Sequence, residues 1–76
     1  MSAINLFLEH QKSLNFVAMK YTKCVEDAED VMQESAIKIW KKNECLSNVK
    51  NVRAWMMTVV KNTAIDMYRR KISNKI

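Results

Sequence analysis

Apolar residues recur along most of this chain at the spacing of a helix. Ile4, Phe7, Leu14, Val17, Ala18 and Tyr21 fall at spacings of three, four and seven, with lysine, asparagine and glutamine between them. That pattern predicts an amphipathic helix over residues 3–23, and Ser2 stands where a hydroxyl can accept from a free amide of the first turn. A second stripe, Ala28, Val31, Met32, Ser35, Ile39 and Trp40, predicts a helix over residues 26–43. Acids crowd its first turns, and Lys38, Lys41 and Lys42 its last, the polarity that the helix macrodipole favours. Residues 44–50 show no period and read as a loop. A third stripe, Val52, Trp55, Met56, Val59, Val60, Thr63 and Met67, predicts a helix over residues 51–71, capped by Asn48 or Asn51. Ile72 to Ile76 lack the pattern and are expected to fray.

Composition narrows the fold class. The chain has neither glycine nor proline, so a multi-stranded sheet would lack its turn chemistry. The reading is all-α: one domain over residues 1–76, a small bundle of three main helices whose short joints make neighbours antiparallel. A chain this short removes only about 60% of its unfolded surface from water, so the core will be thin. Trp40, Trp55 and the methionines are expected in it. No apolar run reaches the roughly 20 residues that span a bilayer, and no signal peptide precedes the first helix. A cytoplasmic protein is expected.

Charge is divided more informatively than its total of +5 suggests. Residues 26–44 hold six acids (Glu26, Asp27, Glu29, Asp30, Glu34, Glu44) against three lysines, whereas residues 50–76 hold seven basic residues against Asp66. Solvated faces explain either segment singly, but the segregation of sign points to two partners.

Chemistry is sparse. There is no glycine loop for phosphates, no nucleophile and base at recognisable spacing, and no paired metal ligands on a helix. Cys24 and Cys45 lie 21 residues apart and His10 is remote from both, too few ligands at the wrong spacing for zinc. Reduced thiols, no metal, no cofactor and no enzymatic activity are expected.

Two stretches carry a resemblance. Asp27-Ala28-Glu29-Asp30-Val31-Met32-Gln33-Glu34 runs on to Ile39-Trp40; Val52-Arg53-Ala54-Trp55-Met56 runs through Lys61-Asn62-Thr63-Ala64-Ile65-Asp66 to Arg69-Arg70. In this order and at this separation they resemble region 2 of the extracytoplasmic-function sigma factors, in the sigma-70 family. The N-terminal helix matches in position and character.

The resemblance implies a division of labour. The acidic helix would dock on the clamp helices of the largest subunit of the RNA polymerase core, which present arginines, through Asp30, Gln33 and Glu34. A carboxylate facing a guanidinium forms a charge-assisted pair; the competing role for Glu34 is an i,i+4 pair with Lys38. The basic helix and the loop before it would bind the promoter minus-ten element and trap a base flipped from the non-template strand. Ser47, Asn48 and Lys50 match that loop and Asn62 matches the base pocket, where an amide can both donate to and accept from a Watson–Crick edge. The competing role for Asn62 is an amide bonded to a helix end or loop carbonyl. Arg53, Lys61, Arg69 and Arg70 suit phosphates, with Asp66 expected to pair with Arg69 or Arg70.

The chain departs from the family at Ala36, where a bulky aromatic is common, and at Leu46 and Asn48, where an aromatic and a glycine are common. Full-length members continue through a linker to a helix-turn-helix region 4, absent from these residues; the basic ending at Arg69-Arg70-Lys71 resembles the entry to that linker, so a fragment is expected. Other readings are a general basic helical DNA-binding module and a protein-binding bundle, for example one paired with an anti-sigma factor.

Overall fold

The computed structural model describes residues 3–42 and 50–74. Four helices make up this part: α1 (Ala3–Glu9), α2 (Gln11–Thr22), α3 (Val25–Lys41) and α4 (Val52–Asn74). The all-α bundle is as expected, and no strand occurs among the described residues. None of its helices is long and apolar enough to cross a membrane.

The first predicted helix is two. His10, at φ −100° and ψ 12°, separates α1 from α2, although backbone bonds from His10 to Leu6 (3.1 Å) and from Leu14 to His10 (3.0 Å) carry the ladder across. The cause is visible in the stripe: between the buried Phe7 and Leu14 one turn holds His10 and Gln11 and has nothing to bury. Packing therefore does not hold the segment straight, and α1 turns onto α3.

Helix α2 ends at Lys23, whose φ of 57° and ψ of 20° are left-handed and whose amide donates to the Met19 carbonyl. Such a position normally goes to glycine, which has no Cβ to clash. In a chain without glycine a lysine takes it, at a cost of about 1 kcal/mol. Helix α3 follows at once, with Cys24 extended at its N-cap and Glu26 and Asp27 in its first turn. Helix α4 is capped by Asn51, whose side-chain carbonyl accepts from the Ala54 amide at 3.0 Å. It runs on to Asn74, beyond the predicted end at 71, because no glycine or proline stops it. The Ser2 cap and the loop through Val49 lie outside the described residues.

Leu14, Ala18, Val31, Ile39, Met56 and Val60 are fully buried and form the centre of the core, with Phe7, Ala28 and Ala64 close to it. Trp55, Val59 and Met67 pack against this cluster half-buried. Three stripe residues are corrections. Trp40 is 64% exposed, and Ile4 and Tyr21 are each 40% exposed. Ile39, 100° round the helix from Trp40, takes the inward position, and Trp40 instead flanks a shallow apolar recess of about 290 Å³ with Ile4, Ala36 and Ile37. The small Ala36 side chain leaves that recess open.

Two polar side chains are buried at the centre. Thr63 donates to the Val59 carbonyl at 2.7 Å and accepts from the Lys38 ammonium at 3.0 Å, a bond that ties α3 to α4. Ser35 is as deeply buried, and its hydroxyl has no hydrogen-bond partner among the described residues.

Candidate functional site

Helix α3 turns an outer stripe to solvent. Glu26, Asp30, Gln33, Ile37 and Lys41, spaced at three and four, are all exposed. Asp30 and Gln33 of the docking candidates thus face outward. Glu34 is 100° from Gln33, on the flank towards α4, and its side chain is 37% exposed. It does not pair with Lys38, which is bonded to Thr63. Its partner is Arg70, whose Nη2 donates to Oε2 at 3.1 Å and to Oε1 at 3.4 Å.

A second pair lies one row along, where Lys71 donates to the Asp27 carboxylate. That hydrogen bond holds the Lys71 ammonium above the ordinary lysine value of 10.5, against a smaller opposing effect of desolvation. These are the ion pairs among the described residues, and Asp66 is in neither. The expected pairing of Asp66 with Arg69 or Arg70 is therefore corrected: Arg70 reaches across to α3 because Glu34 lies in its path, and Arg69, 100° away on α4, does not.

The DNA candidates separate around α4. Lys50, Arg53, Lys61, Asn62, Arg69 and Arg70 are all exposed. Asn62 and Arg69, two turns apart, share the outer flank, and the Asn62 amide has no hydrogen bond among the described residues. Of the bonded roles considered for that amide, a helix-end partner is not met among the described residues, and the loop carbonyls lie outside them. Arg53 and Lys61 lie on the other flank, along a groove between α2 and α4. Arg70 is turned to α3. Ser47 and Asn48 lie outside the described residues.

The α2–α4 groove was not foreseen. Two adjoining recesses of about 340 Å³ each share Phe16, Val17 and Met57; Lys20 and Lys61 edge one, Lys12 and Arg53 the other. Phe16 is 72% exposed, and Tyr68, 62% exposed, lies further along. The pairing of Lys12 with Arg53 and of Lys20 with Lys61 makes α2 and α4 parallel, so α3 is the antiparallel member between them. The signal was present: Lys12, Phe16 and Lys20 recur every four residues, an exposed aromatic between two cations on one helical face. Among the described residues no group of three or more histidine, cysteine or acidic side chains is arranged to hold a metal. Cys24 is exposed and free; Cys45 lies outside the described residues.

Comparison with known proteins follows the same outline. The sigma-70 region 2 family profile matches residues 6–72. The chain is 28% identical over 68 residues to the RNA polymerase sigma factor SigV of Bacillus subtilis, covering 90% of this chain and 41% of that protein. To the ECF RNA polymerase sigma factor SigL of Mycobacterium tuberculosis it is 35% identical over 65 residues, covering 84% of this chain and 37% of the relative. It thus spans about two fifths of the length of these curated relatives. No solved structure matches significantly. The two helix motifs, the α3–α4 arrangement they form and a profile covering both lead to one assignment: the chain belongs to the sigma-70 region 2 family, in line with its likeness to the extracytoplasmic-function members.

Proposed function

We propose that this chain is a transcription-initiation domain that docks on the RNA polymerase core through α3 and binds the opened non-template strand of the promoter minus-ten element through α4. The observation that carries this is the separation of two exposed surfaces on one rigid bundle. Asp30 and Gln33 face solvent on α3, and cations with the Asn62 amide, unbonded among the described residues, face it on α4. The relatives named as RNA polymerase sigma factors support the same reading.

Docking is the meeting of a carboxylate surface with the arginine-bearing clamp helices. Asp30 is an exposed anion that a guanidinium can approach, with Gln33 beside it as donor and acceptor. Ile37, 54% exposed on the same stripe, adds apolar area.

On α4, phosphate contacts from Lys50, Arg53, Lys61, Arg69 and Arg70 orient the strand without reading it. Asn62 reads a flipped base, its amide supplying both a donor and an acceptor to the Watson–Crick edge. Ser47 and Asn48 are the loop contributions to that pocket. The α2–α4 groove, with Phe16 available to stack on an unpaired base, gives the strand a course onto α2. The domain acts in the cytoplasm, where it meets the polymerase core. An anti-sigma factor covering the α3 surface would exclude polymerase from it.

Fluorescence titration with short single-stranded oligonucleotides varied one base at a time tests the DNA half. Asn62→Ala should flatten the preference among bases while leaving overall affinity nearly intact; equal loss for every sequence would make Asn62 a structural residue. Asp30→Arg tests the docking half against a clamp-helix fragment, more cleanly than a change at Glu34 because Asp30 has no partner in an ion pair among the described residues. Undiminished binding by Asp30→Arg would refute the α3 assignment.

A further inference from the structure

We propose that polymerase docking and DNA binding are coupled in this domain through the Glu34–Arg70 ion pair, which holds Arg70 away from DNA until a cation on the polymerase takes Glu34. The proposal rests on the function argued above, since it joins the carboxylate assigned to docking and the guanidinium assigned to phosphate. In the structure these two groups are each other's partners.

The geometry makes the two engagements compete. Arg70 directs one nitrogen, Nη2, at both oxygens of Glu34, 3.1 Å from Oε2 and 3.4 Å from Oε1. A second guanidinium approaching in the bidentate manner needs the same two oxygens. It also brings like charge against Arg70. Docking therefore frees Arg70, while Lys71, the next residue of α4, is itself engaged with Asp27. Arg69, in neither ion pair, lies with Asn62 on the outer flank and meets phosphate without a partner to leave. A released Arg70 extends that cationic surface.

The exchange runs equally in reverse. A phosphate that draws Arg70 off α3 uncovers Glu34 for the clamp, and the two ligands raise each other's affinity by the same factor. The pair is solvent-accessible, at 60% for Arg70 and 37% for Glu34, so the factor is modest: between about 1.5-fold and fivefold, the range of an exposed ion pair.

The test is a double-mutant cycle in the full chain, read as affinity for a short AT-rich single-stranded DNA oligonucleotide. Glu34→Gln should bind more tightly than wild type. Because any lost carboxylate favours a polyanion, Glu29→Gln is the reference; Glu29 is exposed on the opposite side of α3 and is in neither ion pair. The gain from Glu34→Gln should exceed that from Glu29→Gln by about 1.5-fold to fivefold, and the excess should vanish in an Arg70→Ala background. Adding a clamp-helix fragment should raise the oligonucleotide affinity of wild type more than that of Arg70→Ala, by a similar factor. Equal gains from the two glutamine variants, an excess that survives Arg70→Ala, or equal enhancement by the fragment would each overturn the coupling while leaving both binding functions standing. A wild-type chain that binds no oligonucleotide would overturn the DNA-binding function and the coupling with it.

Discussion

Replacing Ser35 by alanine should make this domain more stable, and replacing Thr63 by valine should make it less so. Both side chains are completely buried and both carry a hydroxyl, so depth and chemistry are matched; what differs is partners. The Ser35 hydroxyl has none among the described residues, and an unsatisfied buried polar group costs about 1–3 kcal/mol. Alanine removes that cost and adds up to about 0.5 kcal/mol of helix propensity, while the lost oxygen leaves a void smaller than a methyl group. A net gain of about 1–2 kcal/mol follows, or a midpoint raised by roughly 4–16 °C in a domain of this size. Thr63 both donates to Val59 and accepts from Lys38. Valine keeps its shape but strips the Lys38 ammonium of its acceptor, at a cost of about 1–3 kcal/mol. Thermal unfolding followed by circular dichroism decides both. A Ser35→Ala midpoint at or below that of wild type would refute the reasoning by showing the hydroxyl to be satisfied in solution.

Other outcomes follow from the ends of α2 and α4. Lys23→Gly should stabilise the domain by about 0.5–1 kcal/mol, seen as a raised unfolding midpoint, because it relieves a left-handed lysine; a lower midpoint would show that α2 ends differently in solution. Lys71 titrates above the ordinary lysine value, so its protonated form is the one favoured by folding. Its contribution is fully present below 10.5 and is lost as pH rises through the folded value. The midpoint difference between wild type and Lys71→Met should accordingly be constant through the neutral range and shrink in alkali, whereas a difference that changes between pH 6 and 8 would contradict the assignment.

The fold was legible wherever a stripe was unbroken. Val31, Ile39, Met56 and Val60 were placed inward by periodicity and are inward, because a helix in a small bundle has one direction in which to bury. Legibility failed where an angle or a neighbour decides. The turn at His10 holds no proline or glycine, and the missing apolar residue that marks it becomes informative only once α3 is there to receive Phe7. Trp40 and Ile39 are adjacent apolar residues 100° apart, and both cannot point into a thin core. At the site, residue types were legible and pairings were not. Arg69-Arg70 reads in sequence as one phosphate-binding unit; on a helix the two diverge, and the second meets Glu34, which is 36 residues away in the chain. Lys12, Phe16 and Lys20 gained meaning from the parallel course of α4 beside them, a relation that no spacing within α2 encodes.

That arrangement also explains how so small a domain can exchange partners without losing its fold. At about 0.05–0.15 kcal/mol per residue, 76 residues imply roughly 4–11 kcal/mol of stability. The Glu34–Arg70 pair, exposed as it is, contributes at most about 1 kcal/mol. Stability resides instead in Leu14, Val31, Ile39, Met56 and Val60 and in the Lys38–Thr63 bond, none of which faces either proposed ligand. Had Glu34 paired with Arg70 in the interior, parting them would leave an uncompensated buried charge, at about 3–5 kcal/mol, and docking would approach the cost of unfolding. At the rim, the proposed exchange would trade a protein partner for a polymerase arginine and a phosphate with the core unchanged. The surface location of the pair is therefore what allows one helix, α4, to hold the bundle together by its inner face while its outer residues change partners.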